Sequence, residues 1–206
     1  MDLSRTIALI VFLFPLAYSP GPGNAFFASV GAAGGLRAAM PSLAGYHVAT
    51  FLVTMLIGLG LEVTVLSDPG LMRGLSLAGG AYVIWIGVSF LRLARSRVQS
   101  GNQADTGRGV GFTDGAVVLL FNPKAYVIIG LLFTQFLTGG EGRLRQVFAI
   151  TAIFTLNNLV AFIIWTLAGV AIAAMVRGEV AHRRLNTGFG LCLVAVGAWM
   201  LVPALH

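Results

Sequence analysis

The stretch Ser19-Pro20-Gly21-Pro22-Gly23-Asn24 interrupts an apolar run, residues 6–35, that contains no Asp, Glu, Lys, Arg or His. A membrane-spanning helix needs about 20 apolar residues, so this run is longer than one straight span requires. The prolines remove backbone donors and the glycines weaken a helix, so a continuous helix is unfavourable here. Backbone left unpaired at membrane depth survives where it faces protein or a water-filled cavity. The stretch therefore predicts a broken helix within a bilayer, a device with which many transporters build a substrate site.

The composition points to a membrane protein with one compact domain, residues 1–206. The chain is 57% hydrophobic and 10% charged, with a mean hydropathy of +0.90, whereas a soluble domain carries about 25% charged residues. Its net charge of +6 comes from arginines between apolar runs, where they set topology and meet anionic lipid headgroups. Nucleic-acid binding is therefore not expected. The single Cys192 permits neither an internal disulfide nor a Cys-based metal motif.

Charged residues divide the chain into six apolar runs, each near or above the length of a span. The runs are 6–35, 38–61, 74–91, 115–140 (broken by Lys124), 146–176 and 185–205. The first run is interpreted as a retained span, with a cleaved signal peptide as the alternative. Some glycines have the spacing of close helix contacts, namely Gly31 and Gly35, Gly107 and Gly111, and Gly111 and Gly115.

The arginines predict the orientation. Eight lie in the connections between runs one and two, three and four, and five and six, against four on the opposite side. This bias predicts cytoplasmic odd-numbered connections, including the loop 92–112, and both termini outside. Within that loop, the polar residues 96–111 are the expected linker between two halves, 1–95 and 112–206.

A second mid-span proline stands in Asn122-Pro123-Lys124, so each half opens with a broken helix. Three spans per half is an odd number, and the second half must therefore enter the membrane with the opposite orientation. This predicts an all-α integral membrane fold of six transmembrane helices, arranged as two inverted three-helix repeats with helices 1 and 4 broken.

The breaks have a chemical use. A helix that begins at a proline presents free N–H groups and a partial positive charge, which receive an anion such as a carboxylate. Pro22 and Pro123 both suit the first helical position. Pro123 also lies roughly 16 Å beyond Phe112, near mid-membrane. Two facing half-helices would then grip a substrate carboxylate, and the alternative is a pair of proline kinks that serve packing.

Polar side chains at membrane depth supply the other candidates. An unpaired charge at the bilayer centre costs about 2.5–3.5 kcal/mol, so Lys124 must face a cavity, a partner or the substrate. His47 can change charge near physiological pH and is the candidate for proton coupling, with a structural hydrogen-bonded role equally open. Asn157 and Asn158 occupy a comparable place in the second half, where they bind a ligand or another helix.

The residues resemble the lysine exporter (LysE/RhtB) family over essentially the whole chain. The resemblance rests on Pro20-Gly21-Pro22, on the glycine pattern of 31–45, and on Asn-Pro-Lys-Ala with Gln135-Phe136 inside 115–136. It implies a bacterial inner-membrane protein that exports amino acids or close derivatives, driven by the proton gradient. Many members have an acidic residue directly after Pro-Gly-Pro, whereas this chain has Gly23-Asn24. A cationic substrate such as lysine is therefore not assumed.

These observations predict a secondary-active exporter of a small zwitterion, working by alternating access. The expected substrate site comprises Pro20, Gly21, Pro22, Asn24, Asn122, Pro123, Lys124, Asn157 and Asn158, with His47 for proton coupling. An enzyme is not expected, since no phosphate-binding loop or catalytic constellation can be assembled, and neither cofactor nor metal is implied. A channel or a structural membrane subunit is the alternative, and a homo-oligomer remains open.

Overall fold

The computed structural model describes residues 2–61, 69–96, 110–138, 142–176 and 178–205. All of the regular structure in these ranges is helical. The α-helices are α1 (Leu3–Tyr18), α2 (Pro22–Leu56), α3 (Pro69–Ser96), α4 (Phe112–Leu120), α5 (Pro123–Phe136), α6 (Arg143–Met175) and α7 (Glu179–Leu205), and a π-helical turn, Ile57–Leu61, extends α2. Most of the predicted linker 96–111, including Gly107, lies outside the described residues.

The helices confirm an all-α membrane protein, but their number differs from the six predicted runs. By length and composition, four described helices can cross a membrane, and α4 with α5 forms a fifth candidate bent by 65°. The first two runs are shared between the 16-residue helix α1 and the long helix α2. Within α2 the backbone of Gly35 is left-handed, with φ of +78° and ψ of 178°, which kinks the helix between the two runs.

The first half of α2 lies at the centre of the molecule. Its residues Phe26 and Phe27 are fully buried, and α2 packs on both α6 and α4. Glycines allow these helices to touch: a Cβ on Gly31 would collide with the Thr166 carbonyl, and one on Gly115 with the Ser42 carbonyl. The packing roles predicted for Gly31 and Gly115 are thus confirmed. Gly35 has no neighbour within 4 Å and makes the kink instead.

Helices α3 and α7 form an antiparallel pair held together by four glycines. A Cβ on Gly80 would lie 2.7 Å from the Gly197 carbonyl, and one on Gly197 would lie 2.7 Å from the Gly80 carbonyl. Gly87 and Gly190 meet in the same reciprocal way, at 2.8 and 2.9 Å. Such small-residue contacts let helix backbones approach closely in a membrane.

Candidate functional site

The first break separates α1 from α2. Helix α1 ends at Tyr18, and α2 begins with Pro22 in the first helical position after the extended residue Gly21. The last carbonyls of α1 find side-chain donors: the amide of Asn24 donates to Ala17 O at 2.9 Å, and the indole N–H of Trp165 donates to Tyr18 O at 3.2 Å. The helix is therefore interrupted between Tyr18 and Pro22.

The second break separates α4 from α5. Pro123 occupies the first position of α5, and the side chain of Asn122 accepts a hydrogen bond from the Lys124 N–H at 3.1 Å. The hydroxyl of Tyr126 donates to Leu120 O, the last carbonyl of α4, at 2.9 Å. Both prolines begin new helices, so the alternative of two kinks in intact helices is not what the structure contains.

Lys124 joins the two breaks. Its ammonium group donates to Ser19 O at 3.1 Å, to Ser19 Oγ at 2.9 Å and to Pro20 O at 3.4 Å. A cation at the C-terminal end of a helix is favourable because unpaired carbonyls carry partial negative charge there. The three acceptors are neutral oxygens, so within the described residues the ammonium group of Lys124 is hydrogen-bonded at the break without a paired carboxylate.

An aromatic cluster packs against the start of α2. The rings of Phe27, Tyr46 and Phe162 contact one another, with centroids 4.6 to 5.7 Å apart. A Cβ on Gly23 would lie 2.7 Å from Phe162 and 3.4 Å from the Tyr46 hydroxyl. That hydroxyl also adjoins the side chains of Asn122 and Asn158. Tyr46 therefore connects the second break to α6.

His47 follows Tyr46 on α2 and is 7% exposed. Its Nδ1 lies 2.7 Å from Leu43 O, which fixes Nδ1 as the protonated nitrogen because a carbonyl can only accept. The other nitrogen, Nε2, is buried with no partner within 3.5 Å, although the backbone of Asn158 lies next to the ring. The ring contacts Tyr46 in a tilted arrangement and Phe162 edge to face, and it borders a groove of about 500 Å³ that Thr155 and Leu159 also line.

The structure places the predicted site residues in two connected groups. The first gathers around Lys124 at the breaks and contains Pro20, Gly21, Pro22, Asn24, Asn122 and Pro123. The second reaches it through Tyr46 and contains His47 and Asn158. Asn157 is half-buried on the neighbouring face of α6, and its Nδ2 has no partner. Ser19, Tyr46, Phe162 and Trp165 also contact these groups, and none of them was among the predicted site residues.

The two helix ends at the breaks differ from the symmetrical arrangement expected. At α5, Asn122 already accepts the Lys124 N–H, and the Ala125 N–H binds Asn122 O at 3.0 Å. At α2, the Ala25 N–H binds Gly21 O at 2.9 Å, and Pro22 has no N–H. The first helical N–H groups left at α2 belong to Gly23 and Asn24. The described residues contain no group of three His, Cys, Asp or Glu side chains placed to hold a metal ion.

Two interrupted helices that meet at a lysine, among apolar helices, define a multi-pass membrane protein with a transporter-like centre. Residues 14–203 match the family model described as LysE type translocator. The homoserine/homoserine lactone efflux protein of Salmonella typhimurium is 30% identical over 192 residues, which are 93% of this chain and 92% of that protein. The chain therefore belongs to the LysE type translocator family. The predicted family is confirmed, and with it a transporter instead of an enzyme.

Other relatives are similar over shorter stretches. The cysteine/O-acetylserine efflux protein of Salmonella typhimurium is 27% identical over 154 residues, which are 74% of this chain and 76% of that protein. The threonine efflux protein of the same organism is 26% identical over 168 residues, 79% of each chain. No solved structure matches the chain.

Proposed function

We propose that this protein is a secondary-active exporter of a small zwitterionic amino acid, or a close derivative, across the bacterial inner membrane, coupled to the proton gradient. The observation that carries the proposal is the ammonium group of Lys124, which donates hydrogen bonds to three neutral oxygens at the junction of the two breaks. A half-buried ammonium group that is hydrogen-bonded to neutral oxygens is a ready partner for a carboxylate.

The substrate carboxylate would bind between Lys124 and the start of α2. The N–H groups of Gly23 and Asn24 are the first helical donors there, and a helix N-terminus favours an anion. Lys124 would exchange part of its contact with Ser19 for the carboxylate. Because Ser19 also donates to Leu16 O at 3.2 Å, the end of α1 keeps its own support during that exchange.

The substrate ammonium group would face the aromatic cluster and nearby oxygens. The faces of Tyr46 and Phe162 attract a cation, and the side-chain oxygen of Asn24 lies close to Gly21. Many family members have an acidic residue directly after Pro-Gly-Pro, which would favour a second positive charge on the substrate. This chain has the uncharged residues Gly23 and Asn24 there. Relatives named for homoserine/homoserine lactone, cysteine/O-acetylserine and threonine efflux support the same class, since homoserine, cysteine, O-acetylserine and threonine carry no net charge.

Six spans in two inverted repeats remain the proposed architecture, and α3 with α7 supports it. Among the residues whose burial is described, every buried residue of α7 falls 110 positions after a buried residue of α3. The pairs are Ser76 with Asn186, Gly80 with Gly190, Val83 with Leu193, Gly87 with Gly197 and Phe90 with Met200. Their contacts repeat in the same way: a Cβ on Gly80 would meet Leu201, and one on Gly190 would meet Leu91. Antiparallel helices related by an in-plane two-fold axis make such reciprocal contacts.

The proposed orientation keeps the odd-numbered connections in the cytoplasm and both termini outside. Arg183 and Arg184, at the start of α7, are exposed and border a groove of about 450 Å³ with Thr187. Arginines in such a place suit the anionic headgroups of the cytoplasmic leaflet.

Transport of labelled amino acids tests the proposal. Cells that overproduce the protein should export at least one small neutral amino acid faster than control cells. The purified protein in liposomes should then exchange external labelled substrate for internal unlabelled substrate. A channel would let the label equilibrate without such counterflow, and a structural subunit would move none. Either result with folded protein would refute the proposed exporter.

A further inference from the structure

Helices α2 and α6 share a row of buried polar groups with no hydrogen-bond partner. In the described part of the chain, every buried side-chain nitrogen or oxygen without a partner lies on one of these two helices. The atoms are His47 Nε2, Thr54 Oγ1, Thr151 Oγ1, Thr155 Oγ1 and Asn157 Nδ2. Burying polar atoms unpaired is costly, and water is the usual partner of such groups in proteins.

The register of the two helices brings most of these groups to one seam. His47 lies against Asn158, and a Cβ on Gly58 would lie 2.7 Å from Val147. The two contacts lie eleven residues apart on each helix, and the numbering rises along α2 while it falls along α6. In this antiparallel register Thr54 lies opposite Thr151.

The same register sets Thr50 opposite Thr155. The Thr50 hydroxyl donates to Tyr46 O at 2.8 Å, which leaves its lone pairs free to accept. Thr50, Thr54 and Thr151 are fully buried, whereas Thr155 and His47 border the groove of about 500 Å³. Hydroxyl groups therefore follow the seam from His47 towards Gly58.

We propose that Thr155, Thr151 and Thr54 line a hydrated proton path between α2 and α6 that connects His47 with the helix ends at Gly58. At that end Arg143 donates to Gly58 O at 3.2 Å. The inference rests on the proton coupling proposed above and adds its route. In the proposed orientation, the route opens towards the outside, where protons enter an exporter that runs on the proton gradient.

The proton step at His47 is balanced. A hydronium ion in the path gives one proton to the lone pair of Nε2 and becomes water, while Nδ1 keeps the hydrogen that it donates to Leu43 O. Tyr46 is the titratable side chain in contact with His47. Across the seam, α6 presents Asn158 and Phe162 to His47, and neither side chain titrates.

The double variant Thr54→Val with Thr151→Val tests the path, because valine keeps the shape of threonine without its hydroxyl. Two rates are measured in proteoliposomes: counterflow at equal pH, and substrate accumulation driven by an imposed pH gradient. We expect counterflow to persist while gradient-driven accumulation falls by about tenfold or more, as expected for loss of proton-transfer groups. The Thr54→Ser, Thr151→Ser protein should retain both activities, and so should Thr166→Val, whose buried hydroxyl on α6 donates to Phe162 O.

The outcomes separate the path from the proposed function. If the gradient drives wild type and the double valine variant equally, the path is refuted and the coupling stands. If wild type performs counterflow but no gradient-driven accumulation, the proton coupling is refuted together with its path. Should the double variant lose both activities, the two single valine variants take its place, and loss of both activities in each of them would show a structural role and overturn the path.

Discussion

At the scale of single residues, the ammonium group of Lys124 contacts three oxygens of the first break, and none of them carries a charge. Lys124 thus lies at the second break, and its positive charge caps the C-terminal end of α1 at the first break. A carboxylate ligand can compete for this cation because an ammonium–carboxylate pair, with both partners charged, is stronger than a hydrogen bond from the ammonium group to a neutral oxygen.

Replacing Lys124 by methionine should therefore abolish most transport. We expect counterflow to fall about ten- to a hundredfold, since hydrogen bonds to charged groups contribute ~1.5–3 kcal/mol. Arg5→Met is the matched control, because it also removes a cation but from the exposed start of α1. Wild-type counterflow in a folded Lys124→Met protein would remove Lys124 from the site.

The positions of the breaks could be predicted from sequence because proline and glycine act on their own backbone. Pro22 and Pro123 begin helices as predicted. The pairing of Lys124 with Ser19 could not be predicted, since it joins residues 105 positions apart and depends on how the helices pack. Tyr46 and Phe162 were missed for a related reason: aromatic residues in an apolar run give no local sign of a site.

At the scale of helices, glycines decide which surfaces touch. Helices α3 and α7 depend on the reciprocal contacts of Gly80 with Gly197 and Gly87 with Gly190. Spacing alone did not reveal them, because a glycine on a helix face has the same sequence signature whether it packs, kinks or faces lipid. Gly35 illustrates the point, since its predicted packing role turned out to be a kink.

Alanine at Gly80 or Gly190 should destabilise the protein to a similar extent. In each case the new methyl group would meet a carbonyl and a leucine at less than 3.0 Å, and overpacking costs about 1–3 kcal/mol. Gly188→Ala is the control on α7, since nothing lies within 4 Å of the position. Thermal unfolding in detergent measures the losses, and a clear inequality between Gly80→Ala and Gly190→Ala would count against the repeat.

At the scale of the whole molecule, hydropathy predicted an all-helical membrane protein correctly, while the described helices contain four candidate spans and a bent fifth in place of the six predicted runs. The kinked α2 covers parts of two predicted runs, and the bent pair α4 and α5 makes one. The length of an apolar run shows how many residues can enter a bilayer, but it does not predict the kink of the backbone at Gly35. The arginine bias predicts the orientation and stays a prediction.

Cysteine labelling tests that orientation. In a Cys192→Ser background, Arg5→Cys should react with an impermeant maleimide added outside intact cells, because the N-terminus is predicted to lie there. Arg183→Cys should react only after the membrane is opened, since it follows a predicted cytoplasmic connection. The reverse pattern would invert the topology and place the entrance of the proton path on the cytoplasmic side.

The most direct test of the central claim, that the two breaks form one substrate site, is the alkylation rate of Ser19→Cys in a Cys192→Ser background, with and without a transported amino acid. Saturating substrate should slow labelling of this cysteine, leave an Arg5→Cys control unaffected, and lose its protective effect when Lys124→Met is added. If substrate that is demonstrably exchanged by the Ser19→Cys protein leaves the labelling rate unchanged, the substrate binds elsewhere and the claim is contradicted.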